Sequence, residues 1–231
     1  MALYLPKAML IDLDDTILDD SSNVDSAWAE ACKLADLPQE PLLEAIYTAR
    51  DWYWSDPVRH KEGRVALRAA SARIVEMALG PGNADLARRI ANHYRDLRDE
   101  GIALLPGAVE TLAELQKMGI AMALVTNGAA LPQRAKVEKF GLADHFAHIQ
   151  IEGEFGLGKP EPAVYHAAMN AIGTTPEDAW FVGDNLEWEV AVPQSLGLKG
   201  IWVDRSGKGV PAGRAVKPDA IIRGLPDLLT L

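Results

Sequence analysis

The strand Met9-Leu10-Ile11 runs straight into Asp12-Leu13-Asp14-Asp15-Thr16, yet nothing strand-like follows it between Ser21 and Gly101. So apolar a strand reads as buried on both faces, as in a parallel sheet, and such a strand cannot stand without partners. The partners must therefore come from far along the chain. The stretch Ser21–Gly101 is rich in Ala, Leu, Arg and Glu at helical spacing, and predicts helices over Ser22–Ala35, Pro41–Trp54, Val58–Leu79 and Ala84–Asp99. Pro38, Pro57 and Pro81-Gly82 punctuate them as breakers.

From Leu105 the texture changes to alternating helix and strand. Helices are expected from Pro106-Gly107 to Met118, up to Phe140, over Pro162–Ala171 and, briefly, from Pro226. Strands are expected at Ile120–Val125, around His148–Ile151, and at Ala179–Val182, Gly200–Val203 and Ala220–Ile222. That alternation is the mark of a parallel sheet covered by helices on both faces. The helical stretch must then leave and return at the carboxyl edge of the sheet, and it is expected to lie over that end as a cap.

The carboxyl edge is also where the chemistry gathers. Asp12, Asp14 and Asp15 concentrate like charges that resist joint ionisation unless a cation or backbone amides compensate them. This points to a magnesium site with a carboxylate nucleophile. A second strand ends in Thr126-Asn127-Gly128, a hydroxyl and backbone amides ahead of a helix, the kind of place that binds phosphate. The loop Gly156-Leu157-Gly158-Lys159-Pro160 projects one lysine, and a further strand ends in Gly183-Asp184-Asn185, followed by Glu187 and Glu189.

Composition narrows the partners. A formal net charge of -10 over 231 residues argues against nucleic acid or an anionic membrane. The single cysteine, Cys32, excludes an intrachain disulfide and any multi-cysteine metal site, and no run approaches the roughly 18 apolar residues of a membrane helix. A cytoplasmic enzyme acting on a small molecule is expected; oligomeric state is not legible.

Taken together and in this order, the four motifs resemble those of the haloacid dehalogenase-like hydrolase superfamily, over essentially the whole chain. Its first motif, D-x-D-x-T, is matched by Asp12, Asp14 and Thr16; its second by Thr126; its third by Lys159; its fourth by Gly183-Asp184 with Glu189 in the later acidic place. The resemblance implies a fold of the α/β class, a Rossmann-like parallel sheet core over residues 1–17 and 105–231 with an inserted all-helical cap domain over 18–104. It implies that Asp12 attacks phosphorus to form an aspartyl-phosphate, and that Asp14 protonates the departing oxygen and then deprotonates water. Lys159 and Thr126 would hold phosphate oxygens, with the amides of Asn127 and Gly128 beside them. Mg²⁺ would be held by the Asp12 and Asp184 carboxylates and the Asp14 backbone carbonyl, with Glu189 orienting metal-bound water.

Two positions depart from the family pattern. Glu189 stands where relatives usually carry Asp, and Val192-Pro193 where they commonly have two small residues; Pro193 is expected to disturb its helix. The presence of Asp14 favours a phosphate ester over a halide, because a halide leaves without a proton. Within the superfamily the pattern is most similar to the N-acylneuraminate-9-phosphatase and pyrimidine nucleotidase branch. The expected activity is Mg²⁺-dependent hydrolysis of a small phosphorylated metabolite.

Other readings stay open. A phosphosugar mutase would use the same core residues. A receiver-like phosphoacceptor switch also combines aspartates, a hydroxyl and a lysine on a parallel sheet, though in a different motif order. In the cap, Arg59, His60, Lys61, Arg64 and Arg68 follow the aromatic run Trp52-Tyr53-Trp54. Lys61, Arg64 and Arg68 have the spacing of one helix face, which is either a solvated surface or a lid presenting cations to the substrate. Arg59 and His60, nearest an expected loop after Pro57, are the substrate-binding candidates. Asp15 is a turn residue, and Cys32 a buried helical side chain.

Overall fold

The computed structural model describes residues 5–231. In chain order it contains β1 (Ala8–Ile11), β2 (Leu18–Asp19), α1 (Val24–Ala31), α2 (Gln39–Ser55), α3 (Pro57–Arg64), α4 (Leu67–Leu79) and α5 (Ala84–Gly101). After β3 (Ala103–Leu104) come α6 (Ala108–Lys117), β4 (Ala121–Thr126), α7 (Ala130–Lys139), β5 (His148–Ile151), α8 (Glu152–Phe155), α9 (Pro162–Ala171) and β6 (Ala179–Gly183). A π-helical turn over Leu186–Ala191, α10 (Val192–Ser195), β7 (Lys199–Val203) and β8 (Ala220–Ile222) follow, and then a 3-10 helix over Leu225–Thr230. The chain divides into two compact units, one of Met1–Asp19 with Ala103–Leu231 and one of Asp20–Ile102.

The first unit is built on a six-stranded sheet in the order β5-β4-β1-β6-β7-β8, with every pairing parallel. β1 lies at its centre, buried throughout, because it takes partners on both edges: Ile11 pairs with Leu124 on one side and Val182 on the other. The chain first builds outward through β4 and β5, then returns to the other flank of β1 with β6. That reversal leaves a crevice at the carboxyl ends of β1 and β6, the position where open parallel sheets bind ligands. Leu10, Val125 and Phe181 from three of these strands pack against Val164, Tyr165 and Ala168 of α9. The two-residue strands β2 and β3 pair antiparallel, Leu18 with Leu104.

The second unit is helical throughout. Its core is organised by Trp28 of α1, stacked on Tyr94 of α5 with ring centroids 3.5 Å apart, and by Ile46, Ile74 and Ile90. Ala87, Ile90, Ala91, Tyr94 and Arg98 form the buried stripe of α5, with the spacing of an amphipathic helix. The buried Arg98 guanidinium closes this unit by donating to Tyr94 Oη and to the Asp20 carboxylate. Among the described residues no helix is long and apolar enough to cross a membrane.

Two expectations about the helices are corrected. The single helix over Val58–Leu79 is two helices, α3 and α4, separated at Val65-Ala66, where Ala66 has φ -137° and ψ 48°. The cause is packing: Gly63 lies against Tyr53 and Trp54, where a Cβ would stand 2.8 Å from Tyr53 Cε1, so α3 folds back along the end of α2. Pro57 is the first residue of α3, not a bare breaker, with Asp56 Oδ1 capping the helix by accepting from Arg59 N at 2.8 Å. Pro193 lies in a helical run continuous with the π-helical turn over Leu186–Ala191, where Ala191 has φ -62° and ψ -48°, so its missing N–H falls inside a helix whose preceding turn is widened.

Candidate active site

β1 delivers the first carboxylate. Asp12 N donates to Val182 O at 3.0 Å, so the ladder runs one residue past the strand and holds the Asp12 backbone rigidly beside β6. Asp184 follows immediately after β6. Glu189 comes from the π-helical turn, whose wider winding re-aims a side chain relative to an α-helix. Asn185 starts that turn, its Oδ1 accepting from Glu187 N and Trp188 N, and Tyr165 Oη donates to Trp188 O at 2.5 Å from beneath.

These elements bring Asp12, Asp184 and Glu189 together, with carboxylate oxygens within 4.8 Å of one another. Lys159 is buried among them, its Nζ donating to Asp12 Oδ1 at 2.6 Å and Glu189 Oε1 at 2.7 Å. Glu189 Oε2 accepts from Asn185 N at 2.8 Å. Three carboxylates against one ammonium leave an excess of two negative charges, the charge a divalent cation carries. The all-oxygen donor set is that of a hard cation such as magnesium. The residues fit such an ion.

The electrostatics agree. Burial, then the Glu189 carboxylate, push Asp12 up to about 8, against the pull of Lys159. Asp184 is pushed up to about 9, first by the protein around it and then by Glu189, Asp12 and Asp15. Its side chain keeps a solvent face, so the crowding of like charges is the contribution that survives hydration. Burial works to lower the Lys159 ammonium, but Asp12 and Glu189 outweigh it and the net displacement is upward.

Asp14 turns elsewhere. Its Oδ1 accepts from Lys136 Nζ at 2.6 Å and its Oδ2 from Gln133 Nε2 at 2.8 Å, both on α7. Its carboxylate is therefore not part of the metal-type cluster, and only its backbone carbonyl is left for the metal role that the resemblance implies. Glu189, expected as an outer residue, is a member of the cluster itself. The same Gln133 amide donates to Thr126 Oγ1 at 2.7 Å, joining the ends of β1 and β4.

In the loop after β4 the Asn127 side chain holds the lysine loop: its Oδ1 accepts from Lys159 N at 2.7 Å and its Nδ2 donates to Lys159 O at 2.8 Å. The Gly128 amide, expected to meet phosphate, donates to Glu152 Oε2 at 3.0 Å. Asp15 adopts φ 58° and is held by Arg205, which donates from Nη1 to Asp15 Oδ1 at 2.6 Å and pairs through Nη2 with Asp19 at 3.0 Å. Thr16 of the first motif is fully buried, and its hydroxyl has no hydrogen-bond partner among the described residues.

In the helical unit the expected loop is helix α3. Arg59 donates from Nε to Tyr53 O at 3.1 Å and from Nη2 to Trp52 O at 2.6 Å, with its guanidinium 3.7 Å from the Trp52 ring centroid. It caps the end of α2. The His60 ring meets Trp54 edge-on with centroids 5.4 Å apart. Lys61 and Arg64 lie on α3 and Arg68 on α4, so the three do not share one helix face. Arg68 pairs with Asp96 at 2.7 Å.

Sequence reasoning missed Gln133, Lys136, Glu152 and Arg205. Gln133 was open to detection: with Val137 it forms the buried face of α7, and an amide on such a face wants polar partners.

A model of the haloacid dehalogenase-like hydrolases matches residues 6–197. The chain belongs to the haloacid dehalogenase-like hydrolase family. It is 32% identical to the phosphoserine phosphatase of Thermus thermophilus, an alignment that covers 96% of this chain and 97% of the relative. It is 25% identical to the N-acylneuraminate-9-phosphatase of Rattus norvegicus, over 100% of this chain and 95% of that one. These relatives put the chain on the phosphatase branch of the family, among the phosphoric monoester hydrolases. The fold is shared with the hydrolase YfnB from Bacillus subtilis, solved bound to magnesium (TM-score 0.77, 22% identity, 98% of each chain). It is also similar to the 2-haloacid dehalogenase of Pseudomonas syringae (TM-score 0.67, 26% identity, 98% of this chain and 97% of that one).

Proposed function

We propose that this haloacid dehalogenase-like hydrolase is a Mg²⁺-dependent phosphatase that cleaves a small phosphomonoester through an aspartyl-phosphate on Asp12. One observation carries the reading. Asp12 and Asp14, two residues apart, occupy opposed settings: one buried on Lys159 beside Asp184 and Glu189, the other half-exposed and held by Lys136 and Gln133. A nucleophile and an acid/base need such divergent environments. A haloacid dehalogenase would have no use for the second.

In this reading Asp12 Oδ attacks phosphorus while the P–O bond to the leaving group breaks, and the leaving oxygen takes a proton from the Asp14 carboxyl. Water then attacks the phosphoryl group, Asp14 takes the proton of that water, and Asp12 is released with inorganic phosphate. Splitting the displacement in two in this way replaces one hard step with two easier ones. Lys159 screens Asp12 from the incoming phosphate and holds one of its oxygens; the Thr126 hydroxyl, whose oxygen accepts from Gln133, would turn its proton from Asn127 O, 3.3 Å away, to another. Mg²⁺ held by Asp12 and Asp184 would neutralise charge gathering on the phosphoryl group.

A role for the inserted helical unit as a substrate-selecting lid belongs to the same proposal and is supported by its place in the chain, between β1 and the remaining motifs. The buried lone cysteine suits a cytoplasmic location.

The deciding experiment is a phosphate-release screen with Mg²⁺ over phosphorylated metabolites, beginning with phosphoserine and N-acylneuraminate 9-phosphate, run beside Asp12→Asn. Release by the wild type alone is expected. If no compound separates the two proteins, the reading fails; if halide is released from 2-haloacids instead, the dehalogenase alternative replaces it.

A further inference from the structure

We infer that Lys136 and Gln133 are positioning residues for Asp14, holding its carboxylate in the one orientation from which it can exchange a proton with the leaving oxygen and then with water. The inference rests on the phosphatase reading above and adds to it a pair of residues outside the four motifs.

The geometry is specific. Lys136 and Gln133 stand three residues apart on α7, so both project from one face of that helix. One takes Asp14 Oδ1 and the other Oδ2, at 2.6 and 2.8 Å. Two donors, one on each oxygen, fix the plane of a carboxylate as well as its position. Each oxygen of a carboxylate has two acceptor sites, so one bond apiece leaves an outer site free for the proton in transit. Gln133 spends its second N–H on Thr126 Oγ1 at 2.7 Å. A single amide thus ties the acid/base carboxylate to a phosphate-holding hydroxyl, and the distance between proton donor and phosphoryl group becomes a property of α7.

A plain surface ion pair would look different. Such pairs are mobile and contribute little, whereas the Lys136 side chain is only 11% exposed and Gln133 is buried. Both partners of Asp14 come from the helix that starts at the second motif, so the clamp forms only once β1 and β4 lie side by side.

Leaving-group chemistry tests the proposal. An alkyl phosphate needs a proton on its departing oxygen, while a nitrophenolate leaves readily without one. The step reported by kcat/KM is therefore sensitive to Asp14 placement with an alkyl ester and much less so with p-nitrophenyl phosphate. For Lys136→Met the loss in kcat/KM on the alkyl ester is expected to exceed that on the aryl ester by about ten-fold or more, within the range general acid catalysis supplies. Lys136→Arg, which restores a cationic donor, is expected to recover most of the difference, and Gln133→Met to reproduce part of it. Mg²⁺ affinity, measured by calorimetry without substrate, should stay near that of the wild type in all three. Equal losses on the two esters, no loss on either, or no recovery in Lys136→Arg would overturn the inference. The alkyl ester is one that the metabolite screen shows to be hydrolysed; a wild-type enzyme that releases phosphate from no compound of that screen would instead sink the phosphatase reading, and this one with it.

Discussion

Asn127 clasps the backbone of Lys159 from both sides, accepting from its N at 2.7 Å and donating to its carbonyl at 2.8 Å. The two bonds use both ends of one amide, so the second motif sets the height of the third. Only then does Lys159 Nζ reach Asp12 and Glu189 together. Removing the amide in Asn127→Ala strands a part-buried donor and acceptor, and should cost about 1–3 kcal/mol of stability. Phosphate release should fall further than stability alone explains, because a displaced ammonium no longer screens Asp12. Urea denaturation and steady-state rates measured side by side check this; a variant that loses stability but keeps full kcat would show that the clasp does not position Lys159.

Metal and proton should compete at Asp12 and Asp184. Both carboxyls are raised in the folded protein, to about 8 and about 9, above the unfolded value near 3.8. A raised carboxyl means the folded state binds more protons than the unfolded one, so stability falls as pH rises. For the metal-free protein this contribution is present in full below about pH 4 and is lost as pH climbs through the folded values. A cation needs the deprotonated form, so the stabilisation by Mg²⁺ should grow across about pH 6 to 9 and release protons on binding. Thermal denaturation with chelator and with Mg²⁺ at several pH values reads both trends. Superimposable curves would contradict the prediction, and Asp184→Asn should abolish the Mg²⁺ increment.

Much of this site was legible because its strands are buried on both faces and end in polar residues, a pattern that needs no tertiary information. His148–Ile151, Pro162–Ala171 and Ala220–Ile222 have the bounds their apolar pattern predicts. The rest depends on contacts that sequence does not advertise. Lys136 and Gln133 meet Asp14 across 122 and 119 residues of chain. The break after α3 carries no Gly or Pro at Val65-Ala66; it follows from how closely Gly63 approaches Tyr53. Glu189 is carried on a π-helical turn, which no local pattern announces, and from there it accepts from Lys159 Nζ at 2.7 Å. β2 and β3, two residues each, are too short to show a period.

Gly183 leaves room for Glu189. A Cβ at this position would stand 2.0 Å from Glu189 Oε2 and 2.4 Å from its Cδ. The glutamate side chain can yield to that methyl only by giving up its bonds to Lys159 and Asn185 N, which hold it in the cluster. Gly183→Ala should therefore fold and yet expel the carboxylate from the cluster, weakening Mg²⁺ binding by about 10–100-fold, as loss of residues that orient metal ligands does. Circular dichroism and a calorimetric Mg²⁺ titration separate the two effects. Unchanged affinity would mean that Glu189 contributes nothing to the cation site.

Arg205 reaches from the loop after β7 to fork between Asp15 and Asp19, at 2.6 and 3.0 Å. It spans the turn that follows Asp14, and Asp15 within that turn has the left-handed φ of 58°, uncommon for a non-glycine residue though best tolerated by Asp and Asn. The fork is what makes arginine necessary, because a lysine offers one point charge and cannot serve two carboxylates in fixed directions. These side chains are 21–29% exposed, so water screens the pair, and the effect on global stability should be modest, about 1 kcal/mol. The local effect should be larger. In Arg205→Lys the amides of Asp15 and Leu18, which lie in the released turn, should exchange with solvent faster than in the wild type, while those of β1 keep their protection. Turnover should fall together with that protection, since Asp14 sits at the head of the turn. Hydrogen exchange that is unaltered over Asp15–Leu18 in the variant would show that the turn holds its left-handed residue without Arg205.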